Sequence, residues 1–339
     1  MSTQVRPSAA PSLAAPPAPR SISRAATGVD KVFTVVSRTV GGTVLAITGG
    51  IGLFLAIQAL PTLRHYGLSF FTENEWQPEA DVLGISAVVL GTFVVAAVAM
   101  TFAFPLSLAT ALYISEYAPA RLKGLFVSMV DLMAAVPSII YGIWGFFLLM
   151  PQASRVARFL HTYLGWVPIF DVDTDPRAAQ WEQIKYTASA FVAGLAVAMM
   201  VLPMACAVMR EVFSQAPLGE REGALALGAT RWGVIRSVVL PFGKGGVIGG
   251  TMLGLGRALG ETIAVLLIIS PAFDIKVRPL EVGTNTVSAL IAGRFGDASP
   301  SQLSALLTAG LVLFVITLII NTLAALVVAR SRSGEGTDI

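Results

Sequence analysis

Six apolar stretches of more than twenty residues dominate the sequence: Thr39–Leu60, Gly84–Leu112, Gly124–Met150, Ala188–Met209, Gly245–Ile269 and Leu303–Val328. About 20 such residues cross the hydrocarbon core of a bilayer as a helix. Backbone groups in lipid must be paired internally, which leaves only helices and closed barrels. A barrel would be written as segments of alternating polarity about 10 residues long, and these runs do not alternate. The expected fold class is therefore all-α, a polytopic membrane protein with six transmembrane helices. With 55% hydrophobic and 13% charged residues in 339, a water-soluble globule is excluded. The expected surrounding is a lipid bilayer, and no nucleic-acid partner is expected.

The transmembrane domain is expected over 39–330. Residues 1–20, with Pro7, Pro11, Pro16, Pro17 and Pro19, have the composition of a disordered tail, and 331–339 form a C-terminal tail. The N-terminus lacks the short apolar core of a cleavable signal, so the first span is expected to serve as the insertion signal and to be retained. Within 21–38, Val29, Val32, Phe33 and Val36 fall at helical spacing. Two readings stay open: an amphipathic helix on the cytoplasmic membrane surface, or an extension of the first span. Cys206 is alone and lies within the fourth span, where packing is its expected role.

Of 23 Lys and Arg, fourteen fall on one set of alternate loops and eight on the other, with Arg257 inside a span. The positive-inside rule puts the richer side, and both termini, in the cytoplasm. The loop 151–185 is then external, with Val156, Phe159, Leu160 and Tyr163 spaced for an interfacial helix.

The cytoplasmic loop 210–244 is too charged to span and too patterned for a slack linker. Pro217 suits a helix start, Glu220 and Glu222 favour its N-terminal dipole, and Gly228 can end it with positive φ. Thr230 can cap a second short helix running toward Leu240 and Pro241. Glu222, Gly223 and Ala224, then Gly228, then Val238, Leu240 and Pro241 keep the spacing of the cytoplasmic signature of ABC importer permeases, which this loop resembles. Gly223 stands for the usual second Ala and Val238 for the usual Ile. The resemblance implies that the first helix docks on a nucleotide-binding subunit.

In the fifth stretch, Arg257 is central, where a cation costs about 2.5–3.5 kcal/mol and usually faces a bundle interior or an aqueous cavity. Glu261 follows at i+4, on the same face of a continuous helix. The pair reads either as a structural ion pair between packed helices or as a cation facing a translocation path, with Glu261 restraining it. Gly246, Gly250, Gly254, Gly256 and Gly260 give small-xxx-small spacing for close helix packing. In the third stretch Pro137 can kink the helix, and Ser138 and Tyr141 can bond another helix or a solute.

Leu255 to Thr262 and Val136 to Gly142 resemble phosphate-specific ABC permeases of the PstC type, over roughly Gly42 to Ala329. That resemblance implies the type I importer permease fold, a substrate pathway at Arg257, Glu261, Ser138 and Tyr141, and ATPase coupling through Glu222, Gly223, Ala224, Gly228, Leu240 and Pro241. It also implies a PstA-like second permease as heterodimer, two PstB-like ATPase subunits and an external PstS-like phosphate-binding protein. No phosphate-cradling loop is present, because Gly243-Lys244-Gly245 lacks both the preceding glycine spacing and the following hydroxyl. ATP and Mg therefore belong to the partner ATPase, and no cofactor, catalytic residue or metal is expected on this chain; His65 and His161 lie outside the spans. An importer for another oxyanion, such as sulfate or molybdate, and an ATP-independent secondary transporter stay as alternatives.

Overall fold

Long apolar runs with few breakers pair their own amides, and the chain does so in helices of up to 39 residues. A computed structural model describes residues 28–172 and 184–332, the last three as backbone. The tail 1–20, residues 21–27 of the expected surface helix, the middle of the external loop and the residues after 332 lie outside the described residues. The chain divides into two units, one ending at Ile51 and wholly helical over 28–51, and one from Gly52 onward.

The helices are α1 (Gly28–Tyr66), α2 (Ser69–Thr72), α3 (Ser86–Leu112), α4 (Ala120–Ala135), α5 (Ser138–Trp144), α6 (Met150–Leu164) and α7 (Ala190–Ser214), followed by α8 (Leu218–Ala226), α9 (Arg231–Val234), α10 (Leu240–Leu259), α11 (Ile263–Ile268), α12 (Val287–Arg294) and α13 (Pro300–Arg332). Among the described residues five helical segments are long and apolar enough to cross a membrane. Ala120–Ala135 and Ser138–Leu164, bent by 89° at their break, make a sixth when the pair is counted as one span. The expected all-α, six-span architecture is thus observed. Residues 28–38 are continuous with the first span in α1.

Outside the helices, β1 (Trp76–Gln77) and β2 (Val82–Leu83) form an antiparallel ladder, with Trp76 opposite Leu83. Asp81 in its turn adopts left-handed φ of 57°. Its carboxylate accepts the Tyr66 hydroxyl at 2.6 Å and lies 2.8 Å from His65 Nε2. Those two bonds hold the Asp81 carboxyl below the usual carboxylate range.

Small residues let α3, α7 and α10 approach closely. A Cβ on Gly194 would stand 2.6 Å from Val98, and on Gly254 2.7 Å from Val201. Gly243, Gly246, Gly250 and Gly254 of α10 meet Phe213, Val212, Met209 and Val201 of α7, so this stripe packs within the chain. Gly256 and Gly260 face no second helix backbone. Cys206 is buried with Met209 and Phe213, as a packing residue.

Two expectations are corrected. The fifth span does not run through Gly245–Ile269; it ends at Leu259, because Gly260 leaves helical geometry (φ −94°, ψ 1°) and glycine holds a helix weakly. The second cytoplasmic helix is not separate. Thr230 caps α9, which continues through a π turn at Ile235–Val239 into α10. That widened turn accommodates Pro241, whose missing amide falls in the first turn of α10. Between spans five and six the chain also carries α12, with Val287, Ser288, Ala289 and Leu290 buried.

Candidate substrate pathway and coupling loop

The break in span three follows from one residue. Pro137 has no amide, so the Met133 carbonyl four residues earlier loses its helical donor. Val136, forced out of helical geometry before proline, is extended with ψ of 128°. The freed carbonyl accepts the Val136 amide at 3.3 Å and the Tyr141 hydroxyl at 2.8 Å. Tyr141 is therefore committed to interhelical geometry, whereas Ser138, half-buried at the start of α5, makes no hydrogen bond to the described residues.

The break in span five has a different origin. Past Gly260, the buried Glu261 accepts the Ala264 amide on Oε1 at 3.3 Å and so caps α11. Its carbonyl accepts the Ser288 hydroxyl at 2.7 Å. Arg257 lies in the last turn of α10, where the helix dipole favours a cation. The i, i+4 ion pair of a continuous helix is not formed, since Glu261 lies beyond the helix end and its carboxylate faces Ala264. Arg257 is exposed and makes no hydrogen bond or ion pair with the described residues.

The two breaks lie on packed helices. A Cβ on Gly142 of α5 would stand 2.9 Å from the Ala264 Cα of α11, and one on Gly145 2.6 Å from Ile268. Arg257, in the last turn of α10, stands six residues ahead of Ile263, where α11 begins. Two short helices, each starting at an interruption, meet, and the second follows closely on an arginine with no hydrogen-bond or ion-pair partner among the described residues. Interrupted membrane helices are a recurrent way of building solute sites in transporters.

Sequence reasoning passed over the polar run Thr284, Asn285, Thr286 and Ser288, all buried. The Asn285 carbonyl occupies the place of a Cβ on Gly91, and Thr92 Oγ1 accepts the Val287 amide at 3.0 Å. Thr286 caps α12 through the Ala289 amide at 3.3 Å. A threonine ahead of an apolar helical run is the signal that marks this element.

On the other loop, Pro217 immediately precedes α8, with Glu220 in its first turn. Gly228 closes it at φ of 86°, with its amide on Leu225 and the Ala229 amide on Ala224 at 2.9 and 3.0 Å. Glu222 and Gly223 are exposed, and Ala224 packs on the core beneath. The Thr230 hydroxyl accepts the Gly233 amide at 3.2 Å. Leu240 is half-buried and Pro241 exposed at the base of α10. Leu218 at the start of α8 and Leu227 just past its end are 71% and 91% exposed.

The profile of the family described as "Binding-protein-dependent transport system inner membrane component" matches residues 103–333. The chain belongs to this family. Among relatives of this permease, the phosphate transport system permease protein PstC 2 of Mycobacterium tuberculosis is 37% identical over 309 residues, covering 90% of this chain and 93% of the relative. PstC of Mycobacterium leprae is 40% identical over 286 residues, covering 83% and 86%. In fold, the permease resembles a chain of a bacterial alginate ABC transporter crystallised with an alginate-bound periplasmic protein. The TM-score is 0.55 at 16% identity, over 91% of this chain and 96% of the other. A chain of the MetNI methionine ABC transporter in an inward-facing conformation gives a TM-score of 0.50 at 15% identity, over 76% and 99%. The expected importer-permease fold is therefore the observed one.

Proposed function

We propose that this permease carries inorganic phosphate into the cell, as one of two homologous membrane subunits of an ATP-driven importer working by alternating access. The names of its relatives support the substrate, and one observation carries the reading: Arg257 offers planar, permanently charged donors with no partner among the described residues, at the end of α10 where span five is interrupted. Phosphate passes at Arg257, with the free Ser138 hydroxyl and Tyr141 beside it. Glu261, buried at the cap of α11, orients this wall and keeps the net field low enough for release.

The partner ATPase pair holds ATP and Mg, and this chain performs no hydrolysis. The outer side of α8, from Glu222 to Gly228, receives the ATPase, and Leu240 and Pro241 pass its displacement into span five. A phosphate-binding protein delivers the anion from outside, and both termini face the cytoplasm.

Replacing Arg257 by Gln should abolish uptake of labelled phosphate in cells carrying the partner subunits while the complex still assembles. Undiminished uptake would remove Arg257 from the pathway. Because a guanidinium accepts other tetrahedral oxyanions, sulfate and molybdate are tested as competitors; if either outcompetes phosphate, the substrate assignment falls.

A further inference from the structure

Arg221 stands between Glu220 and Glu222 in α8, yet its guanidinium turns inward. Only 18% of its side chain is exposed, and only 11% of that of Glu116. Nη2 lies 3.2 Å from Glu116 Oε1 and Nη1 donates to Oε2 at 3.4 Å, a fork-to-fork pair. Nη2 also donates to the Phe213 carbonyl at 2.6 Å. Glu116 lies in a π turn, Tyr113–Tyr117, that ends span two, and its Oε1 accepts the Ser115 hydroxyl at 2.7 Å. One guanidinium thus ties together α8, the last turn of span four and the end of span two.

A buried ion pair is a weak source of stability, since desolvation offsets most of its attraction. What this pair supplies is geometry. Along the chain, α8 connects only to spans four and five. Span two, which packs along α7 through Val98 and Gly194, has no covalent link to α8 nearby. The Arg221–Glu116 fork is a direct connection between them.

We propose that Arg221 and Glu116 are positioning residues that carry displacement of α8 into span two. This rests on the reading that an ATPase partner moves α8. The test uses the complete complex with binding protein in proteoliposomes, measuring ATP hydrolysis and phosphate uptake in the same vesicles.

R221Q should lower uptake per ATP at least tenfold while hydrolysis continues, E116Q should do the same, and R221Q/E116Q should be no worse than either. R221K, which keeps the charge and loses the fork, should fall between, and the exchange R221E/E116R should restore part of the coupling. Wild-type uptake per ATP in R221Q overturns the proposal, as does an additive double variant. Should R221Q fail to assemble, the exchange decides: recovery of assembly without recovery of uptake per ATP makes the pair merely structural and overturns the link. A wild-type complex that hydrolyses ATP but moves no phosphate refutes the transport reading instead, which separates the two failures.

Discussion

Spans three and five are both interrupted, and their interruptions meet, yet they arise from opposite chemistry. In span three a donor is missing: Pro137 takes the helical amide from the Met133 carbonyl, which keeps only the Val136 amide at 3.3 Å and gains the Tyr141 hydroxyl. In span five every residue from Gly260 to Thr262 has its amide, and the helix stops because Gly260 holds it weakly and the Glu261 carboxylate restarts it as a cap. A break of the first kind is fixed by covalent structure. The second is a balance of about 1 kcal/mol contributions and depends on what packs around it.

The comparison is broken most forcefully at the contact between the two. Gly142→Leu places a side chain where Ala264 Cα and Leu267 stand at 2.9 Å from an ideal Cβ. Overpacking of this size costs about 1–3 kcal/mol, so uptake should fall at least tenfold, together with the thermal midpoint in detergent. Gly124→Leu, which meets nothing within 4 Å, should leave both unchanged. If the two behave alike, the packed breaks are not the constraint.

Next, Glu261→Leu should lose the α11 cap, at a cost of about 0.5–2 kcal/mol, visible as a lower thermal midpoint. Glu261→Gln keeps an acceptor for the Ala264 amide and should retain most of that stability; equal loss in both would make charge, not capping, the function of Glu261. Pro137→Ala restores a donor for Met133 and should set it in competition with Tyr141, lowering uptake severalfold with little change in stability. The smallest effect is expected for Tyr141→Phe, about 1 kcal/mol for one hydrogen bond. Combined with Pro137→Ala it should cost less than the sum, because both act on the Met133 carbonyl; strict additivity in the thermal midpoints would sever that connection.

The same contrast explains what was legible in the sequence. Pro137, Gly228 and Thr230 act through their own backbone chemistry, and each does in the structure what its residue type implies: a break, a left-handed stop at φ of 86° and a cap. Arg257 was visible as a charge without a lipid-compatible environment. The end of its helix was not visible, because Gly256 and Gly260 read equally well as packing glycines. The stripe from Gly243 to Gly254 turned out to pack on α7, whereas Gly256 and Gly260 meet no second helix backbone. Arg221 was hidden for a related reason: flanked by two glutamates, it reads as one more charge on a solvated helix, and Glu116 is 105 residues away.

By itself the sequence determined the solvent, the helical class, the number of spans and the turn chemistry of the coupling loop, since these follow from the apolar length of each segment and from single-residue backbone constraints. Tertiary structure decided where span five stops, that Glu261 caps α11 and does not pair with Arg257, that Ser288 of α12 holds the Glu261 carbonyl, and that Arg221 reaches Glu116. Each of these depends on which distant group arrives to satisfy a buried donor or acceptor, and local pattern carries no record of that partner.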